Sequence, residues 1–402
     1  MIEVRPTYLI MITPGNNNKY YNAFPEGDQF RVEYGRVDST KSTTTYPISR
    51  WEKQISSKLQ KGYQDVTDLR ADLVAEIPQD ESHKQIENEE IRKIVEKLQS
   101  MARETINRNY KVSSSKVTQA MVDAAQELID TMAKGSGPVE AFNGLLMKLF
   151  AAIPRKMGNV ASYIASTAED FPSIIQREQD LLDVMRGQIY VKPEVIESAG
   201  ERSELTILDE FGLTMEETTP EDIARIKSLM NESATKFRRA WRITNKATQE
   251  RFDKFVQENN ITDTRLLFHG SRNENWWSIA KTGLMIRPSN AVYTGSMFGN
   301  ACYFAPKCQK SIGYTSLSGS YWAHGGENAA YMALFEDAYG TPHVIYQHDS
   351  SCYSLNYDFL QRQNPKCHCL HAKADKGMLR NDEIVFYRSD QMTIKYLIEI
   401  GG

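Results

Sequence analysis

"RLLFHGSRNENWWSIAKTGL" (residues 265–284) is the stretch on which the reading of this chain turns. An apolar run closes on His269-Gly270-Ser271 and passes directly into a polar turn with two tryptophans. Such a run reads as a buried strand whose last side chain and next bare backbone meet a cleft, because glycine lets a ligand approach the main chain. A histidine satisfied in the core beside a turn glycine has the same local pattern. Residues further along the chain bear on the choice.

In "TGSMFGNACYFAPKCQKSIGYTS" (294–316), Tyr303 ends a strand, and Ser311 and Tyr314 follow on what reads as a helix. In "LRNDEIVFY" (379–387), Glu383 heads an apolar strand. A histidine, a tyrosine and a glutamate, each at a strand edge and far apart in sequence, can converge on one cleft. Taken singly, Tyr303 also reads as a half-buried strand aromatic and Glu383 as one charge in a polar turn.

Around these pieces, from about residue 203, the pattern is mixed. "TPEDIARIKSLMNESATKF" (219–237) and "NWWSIAKTGL" (275–284) read as helical, whereas "AWRITN", "RLLFHG", "NACYFA", "HVIYQH", "EIVFYR" and "IKYLIEI" read as strands. Short strands with interrupting loops indicate an α+β domain. Residues 1 to about 70 alternate apolar and polar in "YLIMIT", "KYYNAF" and "FRVEYGRV", broken by "PGNNN" and "PEGD", as in a small antiparallel sheet. A helix, "SRWEKQISSKLQKG", follows, with Ser49 as cap and Gly62 as stop, and "AEIPQDESHKQIEN" has the composition of a linker.

Between about 87 and 188 the period is helical. Ile91, Ile94, Val95, Leu98, Met101 and Ala102 form one apolar stripe, and Val117, Met121, Ala124, Ala125, Leu128 and Met132 another. Ser114 or Ser115 is the expected cap of the second helix, and Pro138 the start of a third that stops at Pro154. With "SIIQREQDLLDVMRG" these make a helical bundle.

At 402 residues the chain predicts two or three domains, and 41% hydrophobic with 25% charged residues is a soluble globular composition. No run reaches the length of a membrane span, and "MIEVRPTYLIMITPG" lacks the features of a secretory signal, so the expectation is an intracellular protein with no membrane partner. Five cysteines without framework spacing fit a reducing compartment. The net charge of −4 argues against nucleic-acid binding through bulk potential, so any such contact must be local. Cys367, His368, Cys369 and His371 lack the spacing of paired zinc ligands, and no metal is expected.

The combination "HGSR" (269–272), "MFGNACYFA" (297–305), "KSIGY" (310–314) and Glu383 resembles the poly(ADP-ribose) polymerase family in order and spacing. The resemblance extends along the chain: residues 1–75 are similar to the family's WGR domain, with "YGRV" (34–37) and "KGYQDVTDL" (61–69). Residues 86–190, including "LFAAIP", are similar to its helical regulatory domain, and 200–402 to its ADP-ribosyltransferase domain. The implied fold is α+β and multidomain: a small antiparallel β domain, an all-α bundle and a catalytic domain with two antiparallel sheets.

What the resemblance implies for function is equally specific. The substrate is NAD+, cleaved at the bond between nicotinamide and ribose, with ADP-ribose passed to protein acceptors including the enzyme itself. His269 would bond a hydroxyl of the adenosine ribose; Gly270, with Ser271 beside it, and Ser311 would hold the nicotinamide carboxamide. Tyr303 and Tyr314 would wall the ring, and Glu383, the catalytic carboxylate, would face the developing cation. Tyr34, replacing the tryptophan of the WGR motif, together with Gly35 and Arg36, would contact DNA ends or nicks, with Lys53, Lys58 and Lys61 as a modest basic face nearby. The bundle would exclude donor until DNA engagement loosens it.

Localisation is expected in the nucleus for a eukaryotic source, or in the cytoplasm or nucleoid for a prokaryotic or viral one. Ser296 and Met285 depart from the family pattern at the adenosine side, although Arg287 lies near, and the loop "KCHCLHAKADKGML" differs from familiar members. Two alternatives remain beside a DNA-dependent polymerase acting in the DNA damage response: transfer of a single ADP-ribose, or a DNA-binding scaffold that binds NAD+ without turnover.

Overall fold

The computed structural model describes residues 3–37, 39–68, 83–111, 117–135, 137–189, 204–286, 297–364, 366–377 and 379–402. The expected caps Ser114 and Ser115, and the adenosine-side positions Arg287 and Ser296, lie outside them. The chain divides into two compact units, one of residues 1–79 and 103–189, the other of 80–102 and 190–402.

The first unit opens with an antiparallel sheet of β1 (Thr7–Thr13), β2 (Asn17–Glu26), β3 (Gln29–Arg36), β4 (Ser42–Pro47) and β5 (Gln64–Asp65), in the order β4-β3-β2-β1-β5. The turns fall at "PGNNN" and "PEGD", where Asn16 (φ 65°) and Gly27 (φ 67°) adopt the left-handed backbone that these residue types tolerate. Helix α1 (Trp51–Gln60) buries Trp51 and Ile55 against Phe30 and Val32 of β3, and the indole of Trp51 donates to the Glu3 carbonyl at 3.0 Å. Ser49 does not cap α1: it lies inside a short 3-10 turn, Ile48–Arg50, that leads into the helix. Gly62 does end it, at φ 89°.

Helices α2 (Glu89–Asn109), α3 (Gln119–Lys134), α4 (Val139–Ala152) and α5 (Phe171–Ile189) follow. The cap of α3 is Thr118, whose hydroxyl accepts from the Met121 amide at 3.2 Å, and Pro138 precedes α4. In the first unit α3 packs on α4 and α5. Gln126 of α3 and Gln179 of α5 exchange amide bonds of 2.8 and 2.9 Å, and Phe142 stacks on Phe171 at 3.9 Å.

The second unit contains two sheets. The larger is antiparallel, ordered β6-β7-β14-β10-β8, with β6 Leu213–Glu217, β7 Phe237–Asn245, β8 Arg265–Gly270, β10 Ala329–Asp337 and β14 Met392–Gly401. The smaller is ordered β11-β12-β13-β9, with β9 Cys302–Phe304, β11 Thr341–Ile345, β12 Cys367–Ala372 and β13 Glu383–Phe386. It is not wholly antiparallel as expected, because β11 and β12 run parallel. The helical connection through Ser350–Ser354 and Tyr357–Gln363 is long enough to return the chain in the same direction.

Between β14 and the edge strand β8 lies β10, which the sequence pattern does not reveal. Tyr331, Ala333 and Phe335 enter one core; Ala330, Met332 and Leu334 enter the other. With both faces covered there is no alternation to read. The first core also takes up Trp276 and Trp277 of the opening stretch, and Ile91, Ile94, Val95 and Leu98 from the first half of α2. Trp276 donates to the Tyr331 carbonyl at 3.1 Å. The two tryptophans that follow the His-Gly turn are therefore core residues. No helix among the described residues is long and apolar enough to cross a membrane.

Candidate functional site

The edges of the two sheets in the second unit meet at one antiparallel bridge, Phe268 with Ala305. Phe268 N–H donates to Ala305 O at 2.9 Å, and Ala305 N–H to Phe268 O at 3.0 Å. This seam decides where the expected residues go. His269 and Gly270 finish β8 immediately beyond the bridge, and Tyr303 lies on β9 just before it. Val385 of β13 pairs with Tyr303 and Ile384 with Phe304, which brings Glu383, one residue earlier, to the same end of the seam.

His269 Nδ1 lies 3.0 Å from the Tyr303 carbonyl oxygen. A carbonyl only accepts, so Nδ1 carries the proton and Nε2 is left as an acceptor. Desolvation among the rings of Trp276, Phe304 and Phe335 pushes the imidazole pKa down to about 4, which keeps it neutral at ordinary pH.

Helix Cys308–Ile312 follows β9 and packs on β8. Ser311 is buried and its hydroxyl donates to the Phe268 carbonyl at 3.0 Å. Any Cβ on Gly270 would collide with the Ser311 carbonyl, so this position accepts only glycine without movement of the backbone. Ser271 stands beside the turn, its hydroxyl accepting from Asn275 at 3.0 Å. Tyr314 lies just past the helix rather than on it, because the helix closes at Gly313; its ring stacks on Trp322. The Tyr303 hydroxyl accepts from Phe298 N–H at 3.0 Å and donates to Gly299 O at 2.6 Å. Burial raises the pKa of both phenols, so both stay neutral.

Glu383 is buried, and desolvation raises its pKa above the ordinary carboxylate value, opposed by Lys310. The Lys310 ammonium sits 2.9 Å from Glu383 Oε1 and 3.3 Å from the Asn381 carbonyl. Lys310 lies inside the "KSIGY" motif, which alone assigns it no part. The signal was a cation one residue before Ser311, whose partner lies on a distant strand.

The arrangement brings together His269, Gly270, Ser311, Tyr303, Tyr314 and Glu383: bare backbone, a hydroxyl, two neutral aromatic rings and one charge-paired carboxylate. The Cys/His run is strand β12 and not a loop, and its groups are used elsewhere. Cys369 Sγ donates to the Tyr339 carbonyl, and His371 bridges the Tyr339 hydroxyl at 2.7 Å and Asp382 at 2.8 Å. Among the described residues no group of three or more His, Cys, Asp or Glu is placed to hold a metal ion. Met285 is exposed.

In the first unit, Tyr34 is 39% exposed near the end of β3, with its ring 6.3 Å from that of Tyr21. Gly35 follows, and Arg36 donates to the Asn16 carbonyl at 2.8 Å and to its side chain at 3.1 Å. The expected basic face is smaller than three lysines. Lys58 lies over the ring of Tyr21 at 4.3 Å, where burial lowers its pKa, while Lys53 and Lys61 are exposed.

Residues 221–401 match the family model described as the poly(ADP-ribose) polymerase catalytic domain. Uncharacterized protein 101L of Invertebrate iridescent virus 6 is 33% identical over 233 residues, which cover 56% of this chain and 95% of that protein. The putative poly [ADP-ribose] polymerase-like protein 100L of the same virus is 35% identical over 156 residues, 38% of this chain and 79% of that one. Poly [ADP-ribose] polymerase 2 of Arabidopsis thaliana is 29% identical over 168 residues, 37% of this chain and 25% of the plant protein.

Proposed function

Because the chain belongs to the poly(ADP-ribose) polymerase family, and is thereby an NAD+ ADP-ribosyltransferase, we propose that it builds poly(ADP-ribose) on itself and on other proteins in response to broken DNA. The observation that supports this reading best is the buried Glu383–Lys310 pair at the seam. It keeps a carboxylate in a desolvated site, where opposing charge acts most strongly.

The residues then divide the work. Gly270 and Ser311 bind the carboxamide of the donor, Ser271 supports their turn, and Tyr303 and Tyr314 flank the nicotinamide ring. His269 Nε2 accepts from a hydroxyl of the adenosine ribose. The bond between nicotinamide and ribose C1′ breaks, and the electron pair leaves with nicotinamide. Glu383 lies against the oxocarbenium-like ribose, bonds its hydroxyl, and takes the proton of the attacking acceptor hydroxyl as the new C1′–O bond forms. Lys310 keeps Glu383 ionised for that step. Elongation is favoured over single transfer because His269, Tyr303 and Glu383 occur together.

Switching belongs to the rest of the chain. Tyr34, Gly35 and Arg36 engage a DNA end or nick, and the helical segment 86–190 restrains donor entry until they do. The exposed ring of Tyr34 supports the first assignment.

The test uses the full chain with labelled NAD+, with and without broken DNA, and reads nicotinamide release and product length. The expected outcome is DNA-stimulated release with products many units long, both abolished in Glu383→Gln. Release without elongation would favour the single-transfer enzyme. NAD+ binding without any release would leave only the scaffold.

A further inference from the structure

The two most exposed large hydrophobic side chains among the described residues stand beside the Tyr314 wall, and nothing in the mechanism above uses them. Tyr321 is 69% and Trp322 61% exposed. The Trp322 ring stacks on Tyr314 (6.1 Å, 19°), and Tyr321 meets Trp322 edge-on at 4.8 Å. Three rings thus run outward from the proposed nicotinamide wall to the surface.

The loop that carries them is built to present them. Trp322 N–H and Ala323 N–H both donate to the Gly313 carbonyl, at 2.9 and 3.1 Å. Ser318 donates to the Glu327 carbonyl and Glu327 to that of Ser316, each at 2.9 Å, so the neck of the loop is closed. Gly325 is wedged against the carbonyls of Ser316 and Leu317, where a Cβ would not fit, and His324 is held at φ 47°, an uncommon conformation for a non-glycine residue. Ser316 also ties the loop to the opening motif, its hydroxyl accepting from Asn273 N–H at 2.9 Å. Such a closed frame would have little reason to hold an indole and a phenol in water unless something covers them.

Resting on the reading of Glu383 and Tyr314 given above, we infer that Tyr321 and Trp322 form a stacking platform for an adenine of the growing ADP-ribose chain. Three observations favour that occupant. The platform continues the stack that begins at the donor wall, where the acceptor end of the chain must arrive. The reaction proposed above would produce a polymer with one adenine per unit, and aromatic side chains bind successive bases through their π-faces. The exposed Arg272 guanidinium reaches the Ala323 carbonyl at 3.5 Å, which places a cation next to the rings for the pyrophosphate that accompanies each adenine.

The experiment measures binding of a fluorescein-labelled ADP-ribose oligomer to the full chain by anisotropy. Tyr321→Ala and Trp322→Ala are each expected to weaken binding about tenfold, and Trp322→Phe, which keeps a ring, to retain most of it. Glu383→Gln is expected to bind the oligomer like the unaltered chain while losing nicotinamide release, which separates failure of this platform from failure of the catalytic reading. Tyr321→Ala is expected to make shorter products, with nicotinamide release lowered in proportion to the units not added. Of the five tryptophans, Trp51, Trp241, Trp276 and Trp277 are buried, so quenching of accessible tryptophan fluorescence by the oligomer reports on Trp322. Unchanged affinity in both alanine variants would overturn the inference. So would an equal loss of affinity for a single-stranded DNA oligonucleotide, which would make the platform a general nucleic-acid surface.

Discussion

Replacing Lys310 by methionine isolates what the ion pair at the seam does. The ammonium lies 2.9 Å from Glu383 Oε1, with both side chains largely out of solvent. An opposite charge at such range holds a carboxyl pKa down by about 1–3 units. Desolvation already pushes Glu383 above the ordinary value, and Lys310 is what opposes it. Without the lysine the pKa rises further. In the proposed mechanism the working form is the carboxylate, so activity falls as pH drops through that pKa, and the variant loses activity at higher pH than the unaltered enzyme. In Lys310→Met the acid limb of kcat/KM for nicotinamide release, followed from about pH 5 to about pH 9, should move up by about 1–3 units. Well below both limbs the rate should fall by roughly 10- to 1000-fold, while the alkaline plateau changes far less. Lys310→Arg should bring the limb back towards its original position. His269, neutral with a pKa of about 4, should add no limb near the usual histidine range. An acid limb in Lys310→Met that coincides with that of the unaltered enzyme would refute the argument that this pair sets the ionisation of Glu383.

Two further predictions concern close packing. Gly270→Ala places a methyl against the Ser311 carbonyl, so NAD+ binding measured by calorimetry should be lost, together with about 1–3 kcal/mol of stability from overpacking; unaltered NAD+ affinity would show that Gly270 does not set the approach. Leu98→Ala empties a position in α2 that is buried in the core of the second unit, and chemical denaturation should show a loss of about 2–5 kcal/mol; a loss no larger than that of an exposed helix site would mean that this half of α2 does not belong to that core.

The sequence disclosed those features whose signals are local. Strand β8, the turn glycine after His269 and the apolar stripe of α2 follow from period and residue type. It was silent where the cause is tertiary. Strand β10 is apolar on every side because two cores sandwich it, and β12 reads as a loop because Cys367, Cys369 and His371 are polar in sequence yet buried in place. The parallel pairing of β11 with β12 depends on a crossover that no local pattern encodes. Within the candidate site the motifs supplied the members, whereas the pairing of Lys310 with Glu383 required the register of β13 on β9. The cap of α3 was misplaced because serine and threonine signal equally well, and only the hydrogen bond of Thr118 distinguishes them.

The bridge between Phe268 and Ala305 has a mechanical consequence. His269 and Gly270 belong to one sheet, Tyr303 and Glu383 to the other, so the gap between the proposed donor-anchoring groups and the buried carboxylate follows the angle at which the two sheets meet. A rotation of a few degrees at that join would detune turnover with every reacting group intact. Substitutions that silence this enzyme can therefore be sought well away from its cleft, wherever they alter that angle.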